Sequence, residues 1–214
     1  MTQPERERDE GQLRRVYEID DPIEIRDYYD GWAESYDAEL KTNGYASPAR
    51  VAAALASVGA DFTAPVLDYG CGTGLSGEAL LAAGFTVVDG ADPAPQMLRV
   101  AEAKGIYRSL FRLDLDASTP PFDMGSYAVV TAVGLIGPGA APLDLFDQLV
   151  HIVAPGGLFG FSFNDHAMDD PAYPERVEQH VGTGGWEVLI EERGPHLPSL
   201  DVRATVFVLN RKTK

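Results

Sequence analysis

The sequence predicts one α/β domain built on a mostly parallel β-sheet, and three observations support this. Strand-like apolar runs alternate with helical patterns over residues 65–163, which is typical of parallel strands joined by right-handed crossovers. A glycine-rich turn lies between the first of these strands and the helix that follows it. Two late strands, predicted over residues 186–192 and 203–210, have no convincing helix between them, so they should form a hairpin with one antiparallel strand.

Length and composition are those of an ordinary globular domain. The chain has 214 residues, of which 45% are hydrophobic, and this is enough for one substantial core. Residues 1–20 are charged and aperiodic, so we expect a mobile or loosely helical tail there. Residues 21–60 are expected to form an N-terminal helical cap and residues 61–214 the α/β core.

The charge balance is strongly acidic, with a formal net charge of −16. Binding to nucleic acid needs clustered Lys and Arg, and the sequence has no basic stripe, so no nucleic-acid partner is expected. No apolar run is long enough to span a membrane, and no membrane partner is expected either. The charged N-terminus is unlike a signal peptide, and a single cysteine agrees with a reducing compartment, which together favour a cytoplasmic location.

Capping signals and periodicity predict three helices. The first covers residues 23–40 as one helix or a pair. The second begins with Ser47 as N-cap and Pro48 at the first helical position, and it runs to about Ser57. The third covers residues 143–153, before the predicted fifth strand.

The most informative segment is the glycine turn, which follows Asp68 and has glycines at positions 70, 72 and 74. Strand, glycine turn and helix form a cradle for a nucleotide cofactor, because glycines let the backbone approach the ligand and adopt positive φ. Leu75 occupies the place of the third glycine in a dinucleotide fingerprint, and Asp68 would repel a phosphate, so NAD is disfavoured. A carboxylate there suits a cofactor with a positively charged amino-acid end, such as S-adenosylmethionine.

Further motifs follow this turn at regular intervals. A second strand ends in Asp92 and leads into the helix start PAPQML, and a third strand contains Asp114. A fourth strand and a PGG turn into a fifth come next. In order, the predicted segments are 85–92, 93–98, 110–115, 127–133 and 155–157.

This series of motifs resembles the class I S-adenosylmethionine-dependent methyltransferases over roughly residues 25–210. The resemblance implies the Rossmann-like fold of that family, with a seven-stranded, mostly parallel sheet of order 3-2-1-4-5-7-6. In this fold the last strand is antiparallel, helices cover both faces and an N-terminal helical lid covers the site. The cofactor implied is S-adenosyl-L-methionine, with S-adenosyl-L-homocysteine as its product.

The resemblance also implies cofactor contacts. Asp92 would bind both ribose hydroxyls and serve as N-cap of the next helix, with Pro93 at its first position. Asp114 would hold the adenine amino group, and Ala132 with Val133 would run beneath the methionine moiety. The full implied set is Tyr28, Trp32, Tyr36, Asp68, Gly70, Cys71, Gly72, Gly74, Leu75, Asp92, Pro93, Met97, Asp114, Leu115, Ala132 and Val133.

The N-terminal segment YYDGWAESYD at residues 28–37 resembles the lid helix of a subgroup related to the Williams–Beuren-region methyltransferase. Trp32 and Tyr36 are four residues apart and therefore share a helix face. They either attach the helix to the core or form a lid that excludes water, with Tyr36 bonded to the cofactor carboxylate. The resemblance favours the lid, and Tyr28, two turns earlier, would share that role.

Single reactive-looking residues give weaker signals. Cys71 has no nearby base in sequence, so a packed side chain is favoured over a nucleophile. The four histidines lack metal-ligand spacing, and no metal site is expected. His166 and His196 follow late strands, where either could be a base, although a surface-loop position is the more common arrangement. No catalytic residue is identified from the sequence.

The function predicted is methyl transfer from S-adenosylmethionine to a small-molecule acceptor. The sulfonium is already activated, so the protein mainly aligns the reactants in a dry pocket, and the acceptor atom can be O, N, S or C. Two alternatives are a cofactor- or partner-binding protein without turnover and a protein methyltransferase. The sequence predicts no oligomeric state.

Overall fold

The computed structural model describes residues 11–213, except residues 17 and 118. The described residues form one seven-stranded sheet of order β3-β2-β1-β4-β5-β7-β6, which confirms the predicted order. The strands are β1 Val66–Tyr69, β2 Val88–Asp92, β3 Ser109–Arg112, β4 Tyr127–Ala132, β5 Val153–Asn164, β6 Trp186–Leu197 and β7 Val202–Arg211.

Helices cover both faces of this sheet. Among the described residues, no helix is both long enough and apolar enough to cross a membrane. The helices are α1 Gly11–Val16, α2 Pro22–Thr42, α3 Ser47–Ser57, α4 Leu75–Ala82, α5 Pro95–Lys104, α6 Asp144–Ile152, α7 Asp165–Met168 and α8 Ala172–Gly182, with a 3-10 turn at Pro198–Leu200.

The strand pairing fixes where a ligand can bind. β1 pairs in parallel with β2 on one side and with β4 on the other, and β3 and β5 extend the parallel part. β7 is antiparallel to both β5 and β6, which confirms the predicted hairpin. The chain order reverses between β1 and β4, and the carboxyl ends of parallel strands at such a point form a crevice that binds ligands.

Strand β5 shows how one sheet supports two cores. Phe159, Phe161 and Phe163 alternate along the strand and pack on one face, against the fully buried Phe146 of α6. On the other face, a Cβ added to Gly160 would lie 3.0 Å from the Leu55 side chain of α3. α3 therefore packs directly on the sheet, although the sequence grouped residues 47–57 with the N-terminal cap.

Two predicted N-caps are wrong. The N-cap of α3 is Ala46, because its carbonyl accepts the first helical hydrogen bond, and the Ser47 hydroxyl instead contacts His196. The N-cap of α5 is Ala94, and the helix begins at Pro95. A proline disfavours the helical conformation in the residue before it, so Ala94 is extended and the helix starts two residues later than predicted.

The N-terminal region is more regular than the sequence predicted. α1 lies within the segment expected to be a tail, and its Val16 is only 2% exposed, while residues 1–10 lie outside the described part. α2 is one continuous helix, capped by the Asp21 carboxylate, which accepts hydrogen bonds from the backbone of Ile23 and Glu24. β3 ends at Arg112, so Asp114 lies two residues past the strand.

Candidate active site

The glycine turn after β1 is tied to the neighbouring strand. The backbone N–H groups of Gly70 and Cys71 both donate to the carbonyl of Ala91 in β2, at 2.8 and 3.1 Å. Gly72 has φ of +52°, and a Cβ built on it would meet no protein atom within 4 Å. The turn therefore adopts a left-handed backbone and leaves open space beside it, as a ligand cradle requires.

Asp92 ends β2 beside this turn and is almost fully buried. One carboxylate oxygen accepts from the backbone of Gly72 and the other from the backbone of Ala94, both at 2.9 Å. Burial raises the pKa of Asp92 to about 6, although both of these hydrogen bonds oppose the shift. The carboxylate is thus held in a fixed orientation and keeps unused lone pairs.

A cavity of about 750 Å³, counting its open mouth, lies above the turn. Residues of the glycine turn, β2 and α5 form one wall, and α2 with the segment after β4 forms the other. The lining residues are Pro22, Ile25, Arg26, Tyr29, Tyr36, Gly70, Gly72, Asp92, Pro93, Ala94, Met97, Leu115, Val133, Gly134, Leu135, Ala140, Ala141 and Pro142.

Asp68, the corresponding acid near the end of β1, is placed differently. It is fully buried and outside the lining of this cavity. Its carboxylate accepts three hydroxyl hydrogen bonds, from Ser76 at 2.6 Å, Tyr107 at 2.7 Å and Thr131 at 3.0 Å. Burial raises the pKa of Asp68, and the hydroxyls oppose this shift. The side chain joins β1 to α4, β4 and the loop after α5.

The aromatic residues of α2 divide into two groups. Trp32 is 1% exposed, its indole nitrogen donates to Glu39 at 2.9 Å, and its ring centroid lies 4.7 Å from that of Tyr36. Tyr28 donates to a carbonyl of α1 and does not line the cavity. Tyr36 lines it together with Tyr29, which sequence reasoning missed. A signal existed, because Tyr29 lies two turns before Tyr36 on the same face.

α2 is also held to the glycine turn by polar contacts. The Asp30 carboxylate accepts from the backbone of Gln96 at the start of α5, at 2.6 Å. The Asp37 carboxylate accepts from the Thr73 hydroxyl of the turn and lies 2.7 Å from the Lys104 ammonium. The position of this helix is therefore coupled to the turn that forms the cavity wall.

The structure brings only part of the predicted set into the cavity. The predicted residues that line it are Tyr36, Gly70, Gly72, Asp92, Pro93, Met97, Leu115 and Val133. Those outside its lining are Tyr28, Trp32, Asp68, Cys71, Gly74, Leu75, Asp114 and Ala132. Cys71 is buried, and burial raises the pKa of its thiol well above the usual value, so this cysteine is a packed thiol. Asp114 is exposed and lies beside Leu115 in a shallow cavity.

A second cavity of about 520 Å³ adjoins the first. The two share the lining residues Tyr29, Tyr36, Gly134 and Ala140. None of the described residues that line the second cavity is Lys, Arg, Asp or Glu. The rest of its lining is Leu13, Val16, Leu40, Tyr45, Ile136, Gly137, Pro138, Ser162, Asn164, His196 and Leu197.

His196 is the histidine that lines the second cavity. It is 6% exposed, its Nδ1 lies 2.7 Å from the Ser47 hydroxyl, and its ring packs edge-on against Tyr45. Burial lowers its pKa to about 4; Asp165 opposes the shift, and Arg50 with His166 adds to it. The sequence favoured a surface-loop histidine, whereas the structure places the ring inside the molecule. Within the described part of the chain, no three metal-ligating side chains cluster.

Comparison with known proteins decides the family. A family model described as a methyltransferase domain matches residues 66–157. Human Methyltransferase-like protein 27 is 31% identical over 184 residues, which cover 83% of this chain and 74% of the human protein. The chain belongs to the class I S-adenosylmethionine-dependent methyltransferases.

Solved structures agree on the fold of this methyltransferase. One similar structure is a complex between the Haloferax volcanii Trm112 methyltransferase activator and a methyltransferase. Its matching chain aligns with this one at a TM-score of 0.65 and 20% identity, over 89% of this chain and 98% of the other. Magnesium protoporphyrin IX methyltransferase from Synechocystis PCC 6803 with bound SAM gives 0.65 at 18% identity, over 91% and 98%. Other relatives are named as methyltransferases of ribosomal RNA, of ubiquinone biosynthesis and of a ribosomal protein, so family membership leaves the acceptor open.

The methyltransferase uses S-adenosylmethionine, and the residues of the first cavity fit this cofactor. The left-handed turn at Gly72 leaves space that a Cβ would fill, so a ligand can lie against the backbone. The Asp92 carboxylate offers acceptors to hydroxyl groups, while Met97 and Leu115 supply apolar surface for a ring. The cofactor supplies a methyl group already activated on a sulfonium.

Proposed function

We propose that this methyltransferase methylates a small molecule bound in the second cavity. The observation that carries this proposal is the contact between the two cavities at Tyr29, Tyr36, Gly134 and Ala140. A molecule in the second cavity would be adjacent to a cofactor in the first. Holding two reactants next to each other in this way is the main catalytic task when the donor is already activated.

In this proposal, each side chain of the first cavity has a binding role. Asp92 accepts hydrogen bonds from both ribose hydroxyls, and the backbone of Gly70 and Gly72 lies against the amino-acid end of the cofactor. Tyr36 donates to the cofactor carboxylate. Burial raises the pKa of Tyr36 well above its ordinary value, which keeps the phenol protonated as a donor. Pro93, Met97 and Leu115 flank the adenine, and Val133 lies beneath the methionine part.

The remaining predicted residues position this set. Asp68 holds the turn through its three hydroxyl partners, so we assign it no direct contact with the cofactor ammonium. Trp32 and Tyr28 pack α2 in place. Gly74, Cys71, Leu75 and Ala132 shape the turn and the strand ends, and Asp114 stays at the open edge near the adenine.

α2 acts as a lid in this proposal. It supplies Tyr29 and Tyr36 to both cavities, so it closes them from the same side. Excluding water strengthens every polar contact inside and protects the reactants from side reactions. The contacts of Asp30 and Asp37 to α5 and to the glycine turn give the lid a defined closed position.

The lining favours a small molecule over a macromolecule. A polynucleotide needs clustered cations, and the net charge of −16 with no Lys or Arg among the described lining residues of the second cavity disfavours one. A peptide needs an extended groove, whereas this cavity is a compact pocket that is smaller than the first. A cytoplasmic location and the absence of nucleic-acid and membrane partners belong to the same proposal.

The acceptor class is tested with tritiated-methyl S-adenosylmethionine and an extract of the source cells. The extract is separated into small molecules, RNA and protein, and each fraction is incubated with the enzyme. We expect tritium in the small-molecule fraction alone. Tritium in the RNA or protein fraction would instead identify that macromolecule as the acceptor and contradict the proposal. Binding of S-adenosylhomocysteine without transfer to any fraction would favour the binding protein that lacks turnover.

A further inference from the structure

The two ring nitrogens of His196, which lines the second cavity, have different surroundings. Nδ1 is hydrogen-bonded to the Ser47 hydroxyl. Every fully buried side-chain nitrogen and oxygen among the described residues has a hydrogen-bond partner. Nε2 of His196 has no hydrogen bond to a described residue, so it is not fully enclosed by protein. One ring nitrogen is therefore held by the protein, and the other is available to a ligand.

The imidazole also lies close to the junction of the two cavities. Gly134 lines both, and a Cβ built on it would lie 4.0 Å from Cε1 of His196. Cε1 is bonded to both Nδ1 and Nε2, so this edge of the ring lies near the junction. The Tyr45 hydroxyl lies nearer still, 2.5 Å from the same Cβ position. Tyr45 packs edge-on against the ring, and the backbone of Ala46 donates to the His196 carbonyl. Both the ring and the backbone of His196 are therefore held in place.

We propose that His196 is the general base of the reaction and that the acceptor is an acidic hydroxyl, phenolic or enolic, on a largely apolar small molecule. This inference rests on the proposed small-molecule function and adds the acceptor atom and the group that activates it. Nδ1 carries the resting proton and donates it to the Ser47 oxygen, which leaves the lone pair of Nε2 directed to the acceptor.

The transfer step balances in atoms and charge. The acceptor oxygen forms a bond to the methyl carbon, the carbon–sulfur bond breaks, and its electron pair stays on sulfur as a neutral thioether. The hydroxyl proton moves to Nε2 of His196, which becomes an imidazolium. One positive charge disappears as the other forms, so the net charge of the two cavities is unchanged. The imidazolium releases its proton to water after the products leave.

The surroundings of His196 keep its ring in the neutral form, which can accept a proton. At neutral pH its ring is uncharged, because burial lowers its pKa to about 4. The charged groups that act on it are Asp165, which pairs with Arg193, and Arg50, which binds backbone carbonyls of β6 and β7. His166 also acts on it, and Tyr45 is the titratable group that packs against its ring. Of these groups, only Tyr45 belongs to the lining of the second cavity.

The lining also selects the acceptor atom. A neutral amine attacks through its own lone pair and needs no base for the transfer itself. A thiol ionises near neutral pH without a base, whereas a phenol with a pKa near 10 needs one. The side chains of Leu13, Val16, Leu40 and Leu197 form an apolar surface for the body of the acceptor.

The first test reads the protein itself. In protein labelled with nitrogen-15 histidine, the ring nitrogen shifts report which nitrogen carries the proton. We expect His196 to be protonated on Nδ1 and unprotonated on Nε2 at neutral pH. A proton on Nε2 in the resting protein would overturn the role of base, whatever the activity of the enzyme.

The second test compares matched variants. His196→Asn keeps a polar atom near Nδ1 for Ser47 but removes Nε2, and His196→Gln is the second variant in case the first fails to fold. We expect turnover to fall about 10²- to 10⁴-fold, the usual contribution of a general base, with unchanged affinity for S-adenosylhomocysteine. His151→Gln alters an exposed histidine outside both cavities and should leave turnover unchanged. Full turnover in a folded His196 variant would overturn the proposal.

The third test identifies the acceptor atom. The enzyme is incubated with the small-molecule fraction of the cell extract and S-adenosylmethionine labelled with carbon-13 in the methyl group. The carbon-13 shift of the product distinguishes methyl groups on O, N, S and C. We expect an O-methyl signal. An N-, S- or C-methyl signal would overturn the base while leaving the small-molecule function intact, and no methylated small molecule at all would remove both.

Discussion

The two cavities that meet at Gly134 are built in different ways. One wall of the cofactor cavity comes from residues 70–97, a single continuous stretch that contains the glycine turn, β2 and the start of α5. The second cavity, the proposed acceptor site, instead combines residues from position 13 to position 197, contributed by α1, α2, β5 and β6. Short motifs in the chain therefore describe the first cavity well and the second hardly at all.

The polar groups of the two cavities differ in the same way. Asp92 is fixed by backbone N–H groups of its own segment, from Gly72 and Ala94. His196 is fixed by Ser47, which is 149 residues away in sequence. In our proposal, cofactor binding therefore depends on a local arrangement that relatives can share, whereas acceptor choice depends on contacts between distant parts of the chain. This difference gives four predictions, ordered by the size of the expected effect.

The largest effect is expected for Asp92→Asn. This change removes the charged acceptor for the ribose hydroxyls, and a hydrogen bond to a charged group contributes roughly 1.5–3 kcal/mol. The Kd for S-adenosylhomocysteine should rise about 10- to 100-fold in isothermal titration calorimetry. Asp68→Asn is the matched control, because Asp68 lies outside the cavity and should affect thermal stability more than affinity. The reverse pattern would assign the ribose contact to Asp68.

The next effect concerns the acceptor cavity alone. Deleting residues 1–16 removes Leu13 and Val16, which line the second cavity and not the first. Losing the contact of one buried apolar side chain costs about 1.5–3 kcal/mol, so kcat/KM for the labelled small-molecule fraction should fall about tenfold or more. Affinity for S-adenosylhomocysteine should stay unchanged. An equal loss of kcat/KM and of cofactor affinity would show that residues 1–16 support both cavities and not the second alone.

The pH dependence of cofactor affinity gives an intermediate effect. Asp92 has a pKa of about 6 in the free protein, and ribose hydroxyls donate to its charged form, so the pKa must be lower in the complex. Affinity should therefore be highest above about pH 6 and fall by up to about tenfold per pH unit as the pH drops below it. Calorimetry of S-adenosylhomocysteine binding between pH 5 and pH 8 measures this. The dependence should disappear in Asp92→Asn, and its persistence there would point to another group.

The smallest effect is expected at the lid. Hydrogen exchange of residues 25–40 should slow when S-adenosylhomocysteine is added, because elements that close over a site are stabilised by the ligand. Asp37→Asn removes the charge that faces Lys104, and an exposed ion pair contributes about 0.2–1 kcal/mol, so exchange there should quicken up to about fivefold.

Glu34→Gln is the control for this variant, since it makes the same change of charge at an exposed position of the same helix. It should leave exchange of residues 25–40 unchanged. Equal exchange with and without the ligand would mean that α2 is only a packing element.

Several features could be predicted from the sequence because they depend on neighbouring residues. Alternation of strands and helices, the glycine turn and the late hairpin are local patterns, and the family resemblance that the motifs carry implied the sheet order that the structure confirms. Asp92 was found because it ends a strand beside the turn. Errors arose where two local signals competed, as at Ala94, where the following proline delayed the start of α5.

Other features could not be read from local patterns. Asp92 ends β2 and Asp68 lies one residue before the end of β1, yet only Asp92 lines the cavity, because Ser76, Tyr107 and Thr131 surround the Asp68 carboxylate. Tyr107 and Thr131 lie 39 and 63 residues from Asp68 in sequence. No pattern in the sequence around Asp68 predicts these hydrogen-bond partners.

The sequence by itself determined the fold class and the cofactor. The motifs that identify them, the strands, the glycine turn and the helices, are each formed by residues close together in the chain. The tertiary structure decided which acids face the cavity, how α2 closes over it and where His196 lies. The physical reason is that burial and hydrogen bonding depend on which distant residues the sheet brings together. A buried histidine beside Ser47 and a loop histidine in solvent have the same local sequence, and only the folded chain separates them.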